Sequence, residues 1–389
     1  MTFKQHRMSA LFVVGLAALL LAPVALADDW VAKWSNGHKI ENSDKGHKLK
    51  FGGRIQADYQ FADSDEFDVE DGFEFRRARL FFSGTVYNRI EFKAQYDFAG
   101  GDADFKDVWL GIKNDWGKIK FGHFKEHFSL EELTSSKYLT FLERSLPVQA
   151  FSPSRNSGVG FEGKNGDKFN WGVGWYYDAD GFGVSTDEDN TNLTGRIAFR
   201  PYYEDGNLFH IGLGATFKDR ASSIRFRARP ENHIGGRLVD TKSFSASGAD
   251  IFNFELATVA GPFWASAEYF SADVDSSANG DPSFDGAYVQ AGWFLTGESR
   301  AFKTSSGAFN RIKPAANFGE GSGAWELKFR YSTIDLNDGT ISGGEEDNIS
   351  VGVNWYLNPV TRLMIDYVDA DVDNKGDAQY FLVRWQVDF

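Results

Sequence analysis

The sequence contains no cysteine among its 389 residues, which excludes disulfide bonds. It also contains no apolar run of about 18 residues, the length that a membrane-spanning helix needs, at any point after residue 27. Catalytic motifs are missing as well: the sequence has neither a nucleophile-elbow motif nor the HExxH motif of zinc proteases. These absences argue against a helical membrane protein and give an enzyme no support.

What the sequence does contain at its start is a predicted signal peptide over residues 1–27. Lys4 and Arg7 precede an apolar run over residues 11–21, and the tripeptide Ala-Leu-Ala ends the segment. The apolar run is too short to cross a membrane as a helix. We therefore expect an exported protein that is either soluble or a β-barrel.

The chain is acidic, with a formal net charge of −14 that becomes −16 when Lys4 and Arg7 leave with the signal peptide. This excess of acids argues against a nucleic acid as partner. For a channel the total charge is less informative, because the charges that line the lumen decide which ions it attracts.

The last ten residues alternate between apolar and mostly polar side chains. The apolar positions are Phe381, Val383, Trp385, Val387 and Phe389. A strand of this length and pattern is typical of outer-membrane barrels. The chain also ends in an aromatic residue, as bacterial outer-membrane proteins commonly do.

Segments with the same period of two recur along the whole chain, at roughly twenty residues per strand and connection. They predict an all-β fold, a transmembrane antiparallel β-barrel of about 16 strands that is wide enough for an aqueous channel. The predicted strands cover residues 49–61, 75–86, 90–98, 106–113, 118–124, 158–163, 169–177, 192–201, 207–217, 251–259, 263–270, 286–295, 324–334, 348–357, 361–369 and 379–389.

The connections alternate between short and long, which is typical of barrels with turns at one end and loops at the other. The short ones are residues 87–89, 114–115 and 358–359. The long ones, acidic or rich in glycine, are residues 62–72, 178–191 and 335–347. No domain linker is visible, so we expect one barrel domain over residues 49–389, preceded by a polar, patternless periplasmic segment over residues 28–48.

One connection, residues 125–156, departs from the period of two. Ser129 and Glu132 form a capping-box pattern, which predicts the start of a helix. Apolar residues at helical spacing follow, and Pro147 is predicted to end the helix. A loop of about thirty residues with helical turns is rare in a β protein and usually functional. We expect it to fold into the barrel as a helical constriction loop.

Charge predicts which face of each strand points inward, because Lys or Arg at the lipid midplane costs about 2–4 kcal/mol. This cost predicts that the side chains of Arg77 and Arg79 point into the lumen. Arg76 falls on the lipid-facing parity, so we expect it at the rim, snorkelling, or at a β-bulge. The same reasoning places further cations inside: Arg54, Lys93, Lys118, Lys120, Arg196, Arg200, Lys218, Lys328, Arg330 and Arg384. Because lumen acids are also predicted, we expect a wall of mixed charge, with Asp58, Glu91, Asp97 and Glu326.

Two further basic clusters lie in connections. Arg225, Arg227 and Arg229 follow at period two, so in an extended chain they point the same way and repel unless an anion or acids lie between them. Residues 300–313 hold four cations and no acid. Each cluster is either solvated surface charge or an anion-attracting vestibule. The rigid fork of arginine suits phosphate-like anions.

A series of motifs along nearly the whole mature chain resembles the phosphate-selective porin O and P family. The motifs are FGGRIQ (51–56), FRRARLFFSGT (75–85), LEELTSSKYLTFLERSLP (130–147), RFRARPE (225–231), WFLTGESRAFK (293–303), GAWELKFRYS (323–332) and VGVNWYLNP (351–359). The resemblance implies a sixteen-stranded outer-membrane barrel, usually a homotrimer, whose third external loop folds inward. It also implies an arginine ladder that guides anions to a constriction where a few Arg and Lys side chains hold phosphate.

Carried over by position, the resemblance implies that Arg225, Arg227 and Arg229 form the arginine ladder. It implies constriction cations at Arg76, Arg77 and Lys137. Arg54 and Arg144 are two further candidates. We expect Lys137 to meet Arg76 and Arg77 across the lumen, with Asp97 and Glu91 as moderating acids. The ladder block has few arginines and is followed by acidic Asp240, so the favoured anion stays open between phosphate and another small anion.

We therefore predict a porin of the bacterial outer membrane with a water-filled, anion-preferring channel and no catalytic residue, metal or cofactor. The expected partners are small anions, outer-membrane lipid and further copies of the chain in a homotrimer. One alternative is a non-selective, structural or adhesive barrel. Another is a barrel hydrolase that uses His123 or His127 near Ser129, Glu126 and Ser135.

Overall fold

The computed structural model describes residues 30–34, 37–178, 190–204 and 206–389. The predicted signal peptide lies outside these residues, as does most of the predicted loop at residues 178–191. Within the described ranges, no helix has both the length and the apolar character needed to cross a membrane.

The described chain forms a barrel of sixteen strands. They are β1 His47–Asp63, β2 Gly72–Val86, β3 Ile90–Asp97, β4 Asp104–Lys113, β5 Lys118–Lys125, β6 Arg155–Asn165, β7 Phe169–Tyr177, β8 Thr191–Glu204, β9 Asn207–Asp219, β10 Gly248–Ala260, β11 Phe263–Asp275, β12 Ser283–Phe294, β13 Ala324–Asp338, β14 Ile341–Asn358, β15 Thr361–Val372 and β16 Gly376–Asp388. Each predicted strand is present, with its ends shifted by up to seven residues; the largest shift is at the start of β14, Ile341 instead of residue 348.

Every strand pairs antiparallel with the next one along the chain, and β16 pairs with β1, so the sheet closes on itself. Closure gives each strand two neighbours and leaves no open edge. Because the backbone groups are then paired within the sheet, such a barrel is stable in lipid.

The outer face is apolar and the inner face polar, as the alternation predicts. Leu193 and Ile197 on β8 point outward and are exposed, whereas Arg196 between them is buried in the interior. Outward aromatic residues pack together at both ends: Trp325 stacks on Trp355 at a ring distance of 5.1 Å at one end, and Tyr59 lies 5.8 Å from Phe73 near the other. Such aromatic belts are typical of the membrane interface.

The two ends of the barrel differ in their connections. The turn end carries short turns, such as residues 87–89, and one long exception, residues 295–323, which we term the turn-end loop. The loop end carries the remaining long connections. The predicted loop at residues 335–347 is wrong: β13 and β14 extend to a tight turn, because Leu336 and Ile341 are buried against the interior.

The segment before β1 is not patternless. Strands Val31–Trp34 and His38–Asn42 form a hairpin, and the second strand pairs antiparallel with the start of β1. The hairpin therefore extends the sheet at the turn end, beside the closure between β1 and β16.

Residues 126–154, termed the inward loop, lie within the barrel and contain two short helices, α1 Leu130–Leu133 and α2 Leu146–Phe151. The stretch between them is not helical, although its apolar spacing predicts a helix. Pro147 lies in the first turn of α2 and so begins a helix instead of ending one. Proline suits this position because its missing N–H would have no partner within the helix.

The predicted capping box is half formed. Ser129 Oγ accepts a hydrogen bond from the Glu132 backbone amide at 3.1 Å, which caps α1. Glu132 does not return this bond to Ser129 but pairs with Arg144 at 2.8 Å. Glu268 on β11 accepts from the amides of Leu130 and Glu131 at 3.0 and 2.8 Å, so the wall completes the cap.

Candidate functional site

The inward loop covers one half of the inner wall. Lys328 on β13 and Arg362 on β15 donate to the backbone carbonyl oxygens of Thr140 and Leu139 at 2.8 and 2.7 Å. These cations satisfy loop carbonyls that have no partner in a helix or sheet. The loop is therefore attached to the wall formed by β13 to β16.

The other half of the wall, from β1 to β8, faces an open cavity of about 1080 Å³. Among the described residues, fifteen Arg and Lys side chains line this cavity, against four acids. The cations are Arg54, Arg76, Arg77, Arg79, Lys93, Lys106, Lys113, Lys118, Lys120, Lys125, Arg144, Arg155, Lys164, Arg196 and Lys303. The acids are Glu91, Asp107, Asp115 and Glu162.

This basic cavity lies inside an acidic protein, so the prediction of a mixed wall holds only for the lumen as a whole. Glu326 of the covered half is engaged within the wall, where it accepts from Trp264 Nε1 at 2.8 Å and from Asn354 Nδ2 at 2.8 Å. Within the cavity, Asp107 lies between Lys93 and Arg155. The net charge of the side chains that line the cavity is therefore strongly positive.

Arg76 is at a β-bulge, one of its three predicted positions. The pairing of β1 with β2 shifts between Gln56 and Ala57, which face Arg77 and Phe75 and leave Arg76 without a partner in that register. A bulge lets two successive side chains point to the same side of a sheet. Arg76 and Arg77 consequently both face the lumen and line the cavity.

Glu143 of the inward loop holds these two arginines. Arg76 binds its carboxylate through Nε and Nη2 at 2.8 and 3.0 Å, and Arg77 Nη2 lies 3.5 Å away. Burial alone would raise the pKa of Glu143, but Arg76, Arg77 and Arg384 outweigh it and hold that pKa well below its ordinary value. Glu143, which the sequence analysis did not single out, is thus the acid that pairs with both arginines.

The predicted moderators pair elsewhere in the wall. Asp97 accepts from Arg79 Nε at 2.6 Å, and Glu91 binds Lys118 at 2.6 Å. Both pairs join neighbouring or nearly neighbouring strands, where cross-strand partners are close by geometry.

Lys137 does not meet Arg76 and Arg77, so that expectation is wrong. Its Nζ lies 3.1 Å from Asp388 Oδ2, and Arg311 binds the same carboxylate. The inward loop runs along the β14–β16 wall here, which directs Lys137 towards the end of β16. Burial lowers the pKa of Lys137 to about 8, although Asp388 opposes the shift.

The two lesser candidates both line the cavity, and both also support the inward loop. Arg54 on β1 donates to Ser136 Oγ of the loop. Arg144 donates to backbone carbonyls of the loop, including Glu132 at 3.1 Å, and to the Glu132 carboxylate at 2.8 Å. Their charge therefore serves the shape of the loop as well as the cavity.

The predicted ladder lies on residues 220–247, termed the arginine loop, above the cavity at the loop end. Ile224, Phe226 and Ala228 are buried against the interior, so the alternating arginines share the opposite face. Phe226 packs on Phe151 of the inward loop at a ring distance of 5.4 Å. The prediction that Arg225, Arg227 and Arg229 point the same way agrees with this burial pattern.

The three ladder arginines differ in environment. Arg225 pairs with Asp240, and its hydrogen bond is the main cause of an Asp240 pKa well below the ordinary value. Arg227 is exposed. Partial burial lowers the pKa of Arg229, and the nearby charge of Arg76 lowers it further. Arg229 is therefore the ladder arginine that lies near the cavity cations.

The basic cluster of the turn-end loop is largely structural. Arg300 is buried, with its guanidinium 5.0 and 4.8 Å from the ring centres of Trp264 and Phe309. Arg311 pairs with Asp388. Of this cluster, Lys303 alone lines the cavity in the described chain. The cluster is at the turn end and does not form a vestibule with the arginine loop.

The residues of the hydrolase alternative have separate roles in the fold. Ser129 caps α1. His123 Nδ1 lies 3.2 Å from Ser157 Oγ, and burial lowers the pKa of His127 to about 4. Glu126 accepts from Asn156 and Asn192 at 2.7 Å.

A closed sixteen-stranded barrel with an apolar outer face and a wide, charged interior is an outer-membrane porin. The chain belongs to the phosphate-selective porin O and P family, whose model matches residues 49–389. It is therefore a channel of the bacterial outer membrane and not an enzyme.

Known proteins similar to this chain agree with that placement. Porin O of Pseudomonas aeruginosa is 28% identical, over 97% of this chain and 98% of the relative. Among solved structures, OmpT of Vibrio cholerae in a trimer form has a TM-score of 0.58 at 14% identity, covering 88% of this chain and 99% of its own. OmpF of Salmonella typhi has a TM-score of 0.56 at 12% identity, covering 92% and 100%. At these identities the two structures show the fold alone.

Proposed function

We propose that this porin conducts phosphate or similarly small anions in preference to cations. The observation that carries the proposal is the composition of the cavity, with fifteen Arg and Lys side chains against four acids among the described residues. A cleft lined by one sign of charge raises the local concentration of ions of the opposite sign.

The proposed path begins at the arginine loop and passes the bulge at Arg76 and Arg77. It continues along Lys118 and Lys120, whose ammonium groups lie 5.3 and 5.4 Å from the ring of Trp109. Acids beside the cations, such as Glu143, keep each site weak enough to release its ion, which conduction requires. The arginine forks favour phosphate-like oxyanions over simple halides.

The family description supports phosphate as the substrate class, since it calls the family phosphate-selective. We further propose a homotrimer, by analogy with the trimer form of OmpT. Residues 1–27 would be removed on export, and residues 28–48 would lie on the periplasmic side, where their hairpin joins the turn end. The outer-facing apolar side chains would contact outer-membrane lipid.

The test is the reversal potential of the purified porin in planar bilayers across a potassium chloride gradient, repeated with potassium phosphate. The wild type should prefer anions. The double variant Lys118→Gln, Lys120→Gln should lose at least about twofold in the anion-to-cation permeability ratio, since a charge about 8 Å from a passing ion contributes ~0.5–2 kcal/mol. The matched control is Lys48→Gln, Lys375→Gln, which removes two exposed cations outside the cavity.

A cation preference in the wild type would contradict the proposal. So would an equal loss in the control, because the preference would then reflect total charge and not the cavity wall. A preference for chloride over phosphate would retain the anion channel and reject phosphate as its substrate.

A further inference from the structure

A small, largely buried pocket lies at the turn end, where the turn-end loop, the inward loop and the ends of β14 to β16 meet. Its volume is about 10 Å³, which is room for one particle the size of a water molecule. Among its lining residues, Tyr138 and Asn310 also line the open cavity, and the others do not. The pocket therefore borders the basic cavity but is not part of the proposed ion path.

The charges that line this pocket do not balance. Within the described chain four cations face one acid: Lys137, Arg300, Arg311 and Arg362 against Asp388. Asp388 is 1% exposed, and its carboxylate is bound by both Lys137 and Arg311. Arg300 and Arg362 are each 2% exposed, and neither forms an ion pair with a residue that the structure describes. Two buried guanidinium groups thus lack an acid partner, although buried charges in proteins are normally paired.

The guanidinium group of Arg300 has unused hydrogen-bond donors. Its Nη2 donates to the backbone carbonyl oxygen of Tyr138 at 2.6 Å, whereas Nε and Nη1 have no partner in the described part of the chain. The rings of Trp264 and Phe309 lie against the same group and shield it from solvent. Because a buried donor without a partner is costly, this group favours a ligand that accepts hydrogen bonds.

The acceptors of the pocket, in contrast, are already in use. Asn358 Oδ1 accepts from the Val360 amide at 2.9 Å, and Gln386 Oε1 accepts from Arg362 Nη2 at 3.1 Å. The carboxylate of Asp388 is held by its two cations. A water molecule needs acceptors for its own hydrogens, whereas a monatomic anion needs donors only. The pocket therefore favours such an anion over water.

We propose that one chloride ion binds in this pocket, held by the free N–H groups of Arg300 and by the positive charge of Arg362. A halide ion is little larger than a water molecule, so it fits a pocket of this volume, whereas phosphate or sulfate does not. The ion offsets part of the charge of the two buried arginines and joins the turn-end loop to the barrel wall. The site does not depend on which ion the channel conducts.

The first test is the unfolding temperature of full-length mature porin in detergent, at a fixed heating rate and constant ionic strength. Chloride should raise it by at least about 1 °C per tenfold increase in concentration, with gluconate, which is too large for the pocket, as the balancing anion. Arg300→Gln should abolish this rise. The matched control is Lys303→Gln, which removes a cation of the same loop that lines the open cavity instead; it should keep the rise.

The second test locates the ion. Crystals of the wild-type porin grown in sodium bromide should show, by anomalous diffraction, one bromide per chain beside the guanidinium group of Arg300. This measurement needs no variant, so it decides the question if Arg300→Gln does not refold. A water molecule in place of bromide at Arg300 would overturn the proposal, as would the lack of a chloride-dependent rise in the wild type. Full retention of the rise in Arg300→Gln, or its equal loss in Lys303→Gln, would overturn it too.

Discussion

Single side chains in this lumen have two functions, to attract ions and to hold the inward loop. Arg76 and Arg77 face the cavity, yet Glu143 of the loop already binds both. Lys137 likewise shares Asp388 with Arg311. A cation that is paired in this way contributes to the field of the pore only in part, because its acid partner offsets it.

Lys137 should make the ion preference depend on pH. A lysine is charged below its pKa and neutral above it, and burial lowers the pKa of Lys137 to about 8. An exposed lysine stays charged to about pH 10.4. Between about pH 7 and pH 9 the wild type should lose part of its anion preference, measured as the reversal potential in potassium chloride. Lys137→Met should lack this step; an identical fall in that variant would show that another group titrates.

At the scale of elements, the arginine loop lies at the loop end, where water screens its charges. The Debye length is about 10 Å at 0.1 M salt and about 3 Å at 1 M. The ladder should therefore raise the rate at which anions reach the cavity more than it sets selectivity. Because Arg225 pairs with Asp240, its own contribution to the attraction of anions is further reduced.

Replacing Arg225, Arg227 and Arg229 together with Ala should lower the anion conductance mainly at 0.1 M salt, with little change at 1 M. Single-channel recordings at both concentrations measure this. Lys242→Ala, which removes an exposed cation of the same loop outside the ladder, serves as the control. A loss of equal size at high salt would mean that the three arginines form a tight local site.

At the scale of the whole molecule, the closed sheet predicts resistance to unfolding. Sixteen strands with no open edge must lose their pairing together, so the folded barrel should survive detergent until it is heated. Unboiled protein should migrate differently from boiled protein on a gel, and the unboiled form should run as a trimer. Mass spectrometry of the outer-membrane fraction should find a mature chain that begins at Asp28. A soluble periplasmic protein, or a circular dichroism spectrum dominated by helix, would contradict this.

Much of the architecture follows from the sequence by itself. Alternation with period two is a property of a single strand, and the cost of a charge in lipid then selects the face that points inward. These two rules predict the sixteen strands, the inward course of Arg77 and Arg79, and the irregular position of Arg76. The shared direction of the ladder arginines follows from the same alternation.

Other features were decided only by the tertiary structure. Parity shows that a side chain faces the lumen but not which half of the lumen the inward loop leaves open, so Lys118, Lys120 and Arg155 could not be distinguished as cavity residues from Lys328 or Arg330. The partners of Lys137 and Glu143 depend on where the loop crosses the barrel, and the position of Pro147 in the first turn of α2 could not be read from the spacing of apolar residues. These contacts join residues far apart in sequence around a closed ring of strands, and local periodicity carries no information about which of them meet.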